Sequence, residues 1–402
     1  MDRLSFTLGE KYIIINTQDT RCGAEKRERR RDMEARVLQV VTYMGRGGLE
    51  TMLMNYYRRM DRSRVQFDFL VHRAFEADYD QEILKMGGRI YRVPRLVPWS
   101  RAYRGELRRF FAAHPEYRIV HVHQDCLSAV ALQCARESGV PVRIAHSHNA
   151  AQDRNLKYLV KRHYMKQIPA HATHLFACSR LAGDWMFGGA PYQVLPNAVD
   201  VERFRHRQDV AGRIREEFRL GDAPVIGHVG RFQPQKNHRF LIDVFAQCVK
   251  REPRIRMMLV GDGEGKEAIR RRLCDLGLAD RVIFTGVRAD VNALMQAMDV
   301  FVFPSLYEGL PVTMIEAQAA GLHCVISDRI SAECVVTDGL VTRMKLGESP
   351  ESWAECILKK ARLPREDHSQ EIRAAGYDID AAAGQLETFY IERAKESRTC
   401  HC

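Results

Sequence analysis

The chain has 402 residues, 46% of them hydrophobic and 28% charged, with a formal net charge of +11 and an isoelectric point near 9.2. That length exceeds one ordinary domain and suits two of roughly 150–200 residues, each with its own core. The longest apolar runs, such as "VIFTGV" and "MDVFVFP", fall far short of the ~18 residues a membrane span needs, and "YIIIN" is too short for a secretory signal.

We therefore expect a cytosolic protein. The basic balance favours anionic partners. Neither zinc-finger spacing nor an aromatic RNA-binding strand occurs, so no nucleic-acid partner is expected.

Residues 1–35 differ from the rest. "AEKRERRRDMEAR" is almost wholly charged and reads either as a basic extension or as sequence upstream of a true start at Met33. From Arg36, strands and helices alternate. "RVLQVV" leads through a glycine loop into the helical "LETMLMNYYRRM". "VQFDFLV", "RIYRVP", "IVHVH", "VRIAHSH", "HLFACS" and "YQVLPN" then read as strands.

After "LPNAVDVERF" the pattern restarts with "VIGHVGRF" and continues through "RMMLVGDG", "VIFTGV", "VFVFPS", "HCVISD" and "CVVTDG". Such alternation predicts α/β, doubly wound parallel sheets, here two Rossmann-like halves facing across a cleft. The divisions are 1–35, 36–205, 206–375, and 376–396 as a C-terminal helix packing back on the first half. Ligands should sit at the carboxyl ends of the strands, so the loops there hold the candidate residues.

One such loop is "YEGLPVTMIEAQ", with Glu308 before a helix and Glu316 inside it, eight residues apart. Pro311 suits the first helical turn. Free amides around Val312 and Thr313 favour an anion, and the two carboxylates suit vicinal hydroxyls of a sugar or ribose. A second loop, "GRFQPQKNH", sets Arg231 and Lys236 before a helix starting near Asn237, two cations fit to cradle a diphosphate. "VGDGEG" (Gly261, Gly263) and "GRGGLE" (Gly47, Gly48) share the strand–loop–helix placement, where glycine lets a backbone approach a ligand closely. "IAHSHN" ends a strand with His146 and His148, residues suited to bind a metal, act as a base or donate to hydroxyls. The DxD sequences Asp78-Tyr79-Asp80 and Asp378-Ile379-Asp380 read as helix caps rather than metal sites.

The eleven cysteines are scattered without a CxxC pair, and Cys126, Cys134, Cys248 and Cys274 lie in apolar segments as expected buried thiols. The "CHC" tail at Cys400–Cys402 is not expected to be a metal site.

Together, "GGLE", "HSHN", "LPNAVD", "GRFQPQKNH", "GDGEG", "DVFVFPSLYEGLP" and the spaced glutamate pair resemble the retaining glycosyltransferases of family 4, which have the GT-B fold. The resemblance runs from about Arg36 to Tyr390. Within the family, "RIAHSHN" and "AAGYDIDAAAGQLETFY" resemble bacterial exopolysaccharide and capsule enzymes of the EpsF-like kind. It implies that Glu308, with amides of Gly309 and Leu310, binds the donor sugar and that Glu316 holds the ribose. Arg231 and Lys236 would neutralise the departing diphosphate, and Gly48 would let the first domain's loop close. His148, or His146 one register away, would contact the sugar near the reacting carbon.

The reaction implied is metal-independent front-face transfer from a nucleotide sugar, UDP-linked by family habit. No cofactor is required, and the acceptor would be a growing, lipid-linked glycan. His323 stands where the family commonly has proline, beyond the helix. A non-hydrolysing sugar-nucleotide epimerase would share the architecture but change the sugar without an acceptor. A non-catalytic polyanion binder would bind duplex with strong salt dependence and no sugar nucleotide. "RNLKYLVKRHYMKQI" sets Leu156, Val160 and Tyr164 beside Arg154, Lys157 and Lys161, and suggests peripheral contact with the inner membrane leaflet.

Overall fold

The computed structural model describes residues 34–149 and 156–399. The charged N-terminal segment through Met33, Arg154 and the Cys400–Cys402 tail lie outside them. Strands β1 (Ala35–Val40), β2 (Val65–Val71), β3 (Ile90–Arg92), β4 (Ile119–Val122), β5 (Val142–Ser147), β6 (His174–Ala177) and β7 (Gln193–Val194) form one sheet, in the order β3-β2-β1-β4-β5-β6-β7. Strands β8 (Val225–Val229), β9 (Arg256–Val260), β10 (Val282–Gly286), β11 (Val300–Phe303), β12 (His323–Ser327) and β13 (Val341–Met344) form the second, β10-β9-β8-β11-β12-β13.

All neighbouring strands pair parallel. Helices cover both faces of such sheets, which is why β2, "VQFDFLV", is buried at every position rather than alternating. The strand order reverses between β1 and β4 in the first sheet and between β8 and β11 in the second. These switch points open crevices at the carboxyl ends, and the loops after β1, β4, β5, β8 and β11 all start there.

The helices used below are α1 (Gly48–Arg59), α2 (Leu156–Met165), α3 (Arg180–Phe187), α4 (His238–Arg251), α5 (Val312–Ala319) and α6 (Ile379–Thr399). The chain passes between the two sheets twice, and the crossings run side by side. The Val199 amide donates to Tyr377 and the Ile379 amide to Val199, an isolated parallel bridge. Beyond it α6 lies on the first sheet. There Tyr390 is fully buried and packs edge-on against Phe67, while Arg118 bonds Ser397.

Several local expectations differ. "CVVTDG" is not a strand: Ala332–Cys334 form a 3-10 turn. The reason lies in Gln318, whose side-chain oxygen accepts from the Val336 and Thr337 amides at 2.9 and 3.0 Å, so those amides are not available to a ladder. The edge strand instead is Val341–Met344. "YQVLPN" contributes only Gln193–Val194 before Pro196 ends it. Asp80 does not cap its helix. It is buried and pairs with Arg92 at 2.6 Å. Asp378, by contrast, accepts from the Ala381 amide as a cap does. Cys126, Cys134 and Cys248 are buried, but Cys274 is exposed on the solvent side of its helix. Among the described residues no helix is long and apolar enough to cross a membrane.

Candidate active site

The loop after β8 and the loop after β11 are stitched together. Leu306 donates its amide to Gln235, the Gln235 amide group donates to Tyr307, and Asn237 donates to Pro304. Asn237 takes a left-handed backbone (φ 53°) that turns the chain into α4. This arrangement brings Lys236 to Glu308, with 2.7 Å between Nζ and Oε1, and sets the ammonium over the Phe303 ring at 4.5 Å. A lysine has three N–H groups. One is used by Glu308, and the others remain available to an anionic oxygen.

Arg231 stands at the start of the same loop and reaches the first domain, where Glu50 in the first turn of α1 lies 3.4 Å away. Burial raises the Glu50 carboxyl above its ordinary range. Gly47 makes this approach sterically feasible. A Cβ there would stand 2.0 Å from the Arg231 guanidinium and 2.2 Å from Glu50. At Gly48 a Cβ would meet only open space, so the N-terminus of α1 is uncovered on that side.

Gly261 and Gly263 sit behind this loop. A Cβ on either would strike the backbone of Gly230 or Phe232, at 2.2 and 2.8 Å. Their smallness braces the Arg231 loop, a supporting position rather than one shown facing a ligand.

Helix α5 begins at Val312 after Pro311, which is the residue before the helix rather than inside it. The helix is apolar nearly all round and buried, which makes its two buried polar residues informative. Gln318 is fully satisfied, donating to Met314 and Cys334 and accepting from two amides. Glu316 is only 6% exposed and, among the described residues, its carboxylate has no hydrogen-bond partner. Desolvation pushes its pKa up to about 7, partly offset by the charge of Arg203. An unpartnered buried carboxylate is costly unless something else supplies the donors.

The loop carrying Glu308 also touches the first domain. A Cβ on Gly309 would lie 2.2 Å from the His148 carbonyl oxygen. Leu310 anchors the loop to the first domain: its carbonyl accepts from the Asn197 side chain at 2.5 Å, and its amide faces the Cys178 thiol. Glu333 makes a further cross-domain contact, accepting from the Arg180 and Leu181 amides at the start of α3.

His148 and His146 separate. Both point to one face because β-strand side chains alternate. His148, at the strand's end, is half-buried beside Gly309, whereas His146 is fully buried with both ring nitrogens unpartnered. His146 stacks on His148 at 4.1 Å and cannot itself reach a ligand in the cleft. Desolvation holds both imidazoles neutral, His148 down to about 3 and His146 well below its ordinary value.

Among the described residues one group approaches a metal-ligand cluster, His121, His123 and His146, with ligand atoms within 4.8 Å of one another. Zinc–nitrogen bonds of 2.0–2.1 Å would need them about 3.3 Å apart, and His121 Nδ1 and both His123 nitrogens are already hydrogen-bonded.

Sequence reasoning missed Glu50, Asn197, Glu333 and His123. Glu50 stood in the quoted "GGLE", and the alternating "HVH" was the signal for His123.

Two family models match the chain: "Glycosyltransferase Family 4" over residues 46–203 and "Glycosyl transferases group 1" over residues 223–361. The protein assigned as glycosyltransferase EpsF of Bacillus subtilis is 39% identical over 374 residues, spanning 89% of this chain and 96% of its own length. An Escherichia coli UDP-Gal:alpha-D-GlcNAc-diphosphoundecaprenol alpha-1,3-galactosyltransferase is 28% identical across 55% of this chain and 60% of its own. Anabaena HepE, solved with UDP-glucose, superposes with a TM-score of 0.69 at 19% identity, covering 91% of this chain and 99% of that one, and so shares the fold. These matches agree with the two-sheet architecture and the cleft between. The chain belongs to the family 4, group 1 glycosyltransferases of GT-B fold, which use nucleotide-sugar donors.

Proposed function

We propose that this enzyme moves a sugar from a UDP-sugar to a lipid-linked glycan with retention of anomeric configuration, in exopolysaccharide or capsule synthesis. The observation that carries the donor site is the Lys236–Glu308 pair at 2.7 Å in two loops stitched to each other, with the buried, unpartnered Glu316 in the helix that follows. In this reading Lys236 and Arg231 hold the diphosphate. Glu308 and the Gly309 amide hold the sugar, and the α5 amides from Val312 add positive potential.

Glu316 accepts from the ribose hydroxyls, which supply the donors its carboxylate lacks. The acceptor oxygen forms the new bond to the anomeric carbon on the face the diphosphate leaves. The C–O bond to phosphate breaks with its electron pair going to the phosphate, and the acceptor's proton passes to that same group. Cations preorganised at the leaving oxygen are worth about 2–4 kcal/mol each in such sites, and the reaction needs no metal.

The sequence similarity to the Escherichia coli enzyme that acts on a diphosphoundecaprenol-linked sugar supports the lipid-linked acceptor. Helix α2 would be the contact with the inner leaflet. Its exposed face is not quite as the spacing suggested. Tyr164 turns toward the core, while Leu159 (65% exposed) and Val160 stand out beside exposed Arg162 and Lys166. Near an anionic surface each cation would contribute roughly 1 kcal/mol.

The test is transfer from UDP-sugars to undecaprenyl-diphosphate glycans in anionic vesicles, with product anomers read by NMR. Formation of an α-linked product from an α-linked donor is expected. Inverted product, or an acceptor-independent change in the sugar itself, would overturn the reading.

A further inference from the structure

Behind the cleft face of His148 lies a chain of buried polar side chains that crosses the first domain. Strand alternation puts Gln39 of β1, His121 of β4 and His146 of β5 on one face, since Gln39 pairs in register with His121 and His121 with Ile144. His123 and His148 extend that face past the strand ends. Gln39, His121 and His123 are buried, and Tyr390 of α6 closes the group from above.

The hydrogen bonds run in one direction. The Gln39 amide nitrogen donates to the Tyr390 hydroxyl at 3.4 Å, and that hydroxyl is 2.7 Å from His121 Nδ1. With its nitrogen turned to Tyr390, Gln39 presents its oxygen to His123 Nε2 at 2.9 Å, so Nε2 carries the proton. In a neutral imidazole the other nitrogen is then an acceptor. His123 Nδ1 lies 2.9 Å from His148 Nε2 and accepts from it. The His148 proton is thereby fixed on Nε2, and His148 Nδ1, which has no partner among the described residues, carries a lone pair. His146, packed against both His148 and His123, fills the space that would let the rings rotate.

We propose that His123, Gln39 and Tyr390 are positioning residues for sugar transfer, and that their chain makes His148 a hydrogen-bond acceptor toward a sugar hydroxyl in the cleft. This rests on the reading of His148 as a donor-sugar contact. The consequence is specific to the substrate. A donor whose facing hydroxyl is replaced by fluorine, which cannot donate, loses the His148 contact, whereas a hydroxyl retains it. Because Tyr390 belongs to the C-terminal helix, that helix acts on the site through hydrogen bonds as well as by packing.

The test has two arms. Two-bond proton–nitrogen correlation spectra of the 15N-histidine-labelled full-length protein, with His148 assigned from the His148→Gln variant, report the tautomer directly. The Nε2–H form is expected. An Nδ1–H form or a mixture would overturn the proposal, whether or not the enzyme binds UDP-sugars, so the result is separable from the donor reading.

In the second arm His123→Leu should lower kcat on the order of tenfold while leaving donor KM within about threefold. His123→Asn places an amide oxygen where Nδ1 stood and should recover most of that loss. Equal activity of wild type and His123→Leu would overturn the proposal. So would equal loss in both variants at unchanged folding. If His123→Leu does not fold, the spectra of the wild-type protein still decide.

Discussion

Glu316→Gln removes a charge that the fold leaves unpartnered, and the consequences can be worked through with signs. The carboxyl's ordinary value is 4.5, and desolvation raises it to about 7 in the folded protein. Its folded pKa lies above its unfolded one, so the folded state holds a proton that the unfolded chain has released between those values. Stability from this group is therefore full below about pH 4.5 and is lost as pH rises to about 7. The shift corresponds to about 3 kcal/mol of destabilisation above that range.

Glu316→Gln should therefore raise the melting temperature at about pH 8 and have little effect on it near about pH 4.5. Donor binding should move the opposite way. If ribose hydroxyls bond the ionised carboxylate, affinity for UDP weakens about tenfold per pH unit below 7 in the wild type. In Glu316→Gln the affinity should be low and flat with pH. Denaturation curves and calorimetric titrations across that range are the assay. A variant that binds UDP like wild type, with the same pH dependence, would refute the argument that this buried carboxylate is held for a ligand.

Three other outcomes follow from the geometry. Lys236→Met should reduce kcat about 10²–10³-fold, since it removes a cation at the leaving group; the Lys236→Met/Glu308→Gln pair, which strands no buried charge, separates that loss from any loss of folding in melting curves. Gly47→Ala should weaken UDP binding about tenfold by forcing the Arg231 guanidinium, otherwise 2.0 Å from the new Cβ, out of place, with calorimetry as the check. Gly309→Ala puts a Cβ 2.2 Å from the His148 carbonyl, a backbone atom that cannot swing away, and should raise donor KM about tenfold in steady-state kinetics.

The alternation of strand, loop and helix was legible because parallel strands buried on both faces leave continuous apolar runs with glycine and charge after them. The loops proposed to hold the donor stood out for the same reason: Arg231, Lys236 and Glu308 follow strand ends within short segments, and Glu316 lies in the helix after the last. What could not be read was anything that depends on contacts between distant segments. Glu50 pairs with Arg231 across 181 positions, and Gln39 reaches Tyr390 across 351.

No local periodicity encodes either contact. His146 and His148 share a face by alternation, so only burial distinguishes the spacer from the residue at the cleft. Leu310 is a related case: only the fold shows Asn197 donating to its carbonyl and Cys178 facing its amide. In "CVVTDG" the β-branched pair promised a strand, and a single glutamine side chain removed the amides that a strand would have used.

The proposed nucleotide-sugar site, built from Lys236, Arg231, Glu308 and Glu316, should function without a divalent metal. Calorimetric titration of the full-length protein with UDP-, GDP- and ADP-sugars in the presence of EDTA tests it directly. Lys236→Met serves as the control for site occupancy. A UDP-sugar should bind in EDTA, and Lys236→Met should weaken that binding about tenfold. Absence of binding by every sugar nucleotide, or binding that appears only when a divalent cation is restored, would contradict it.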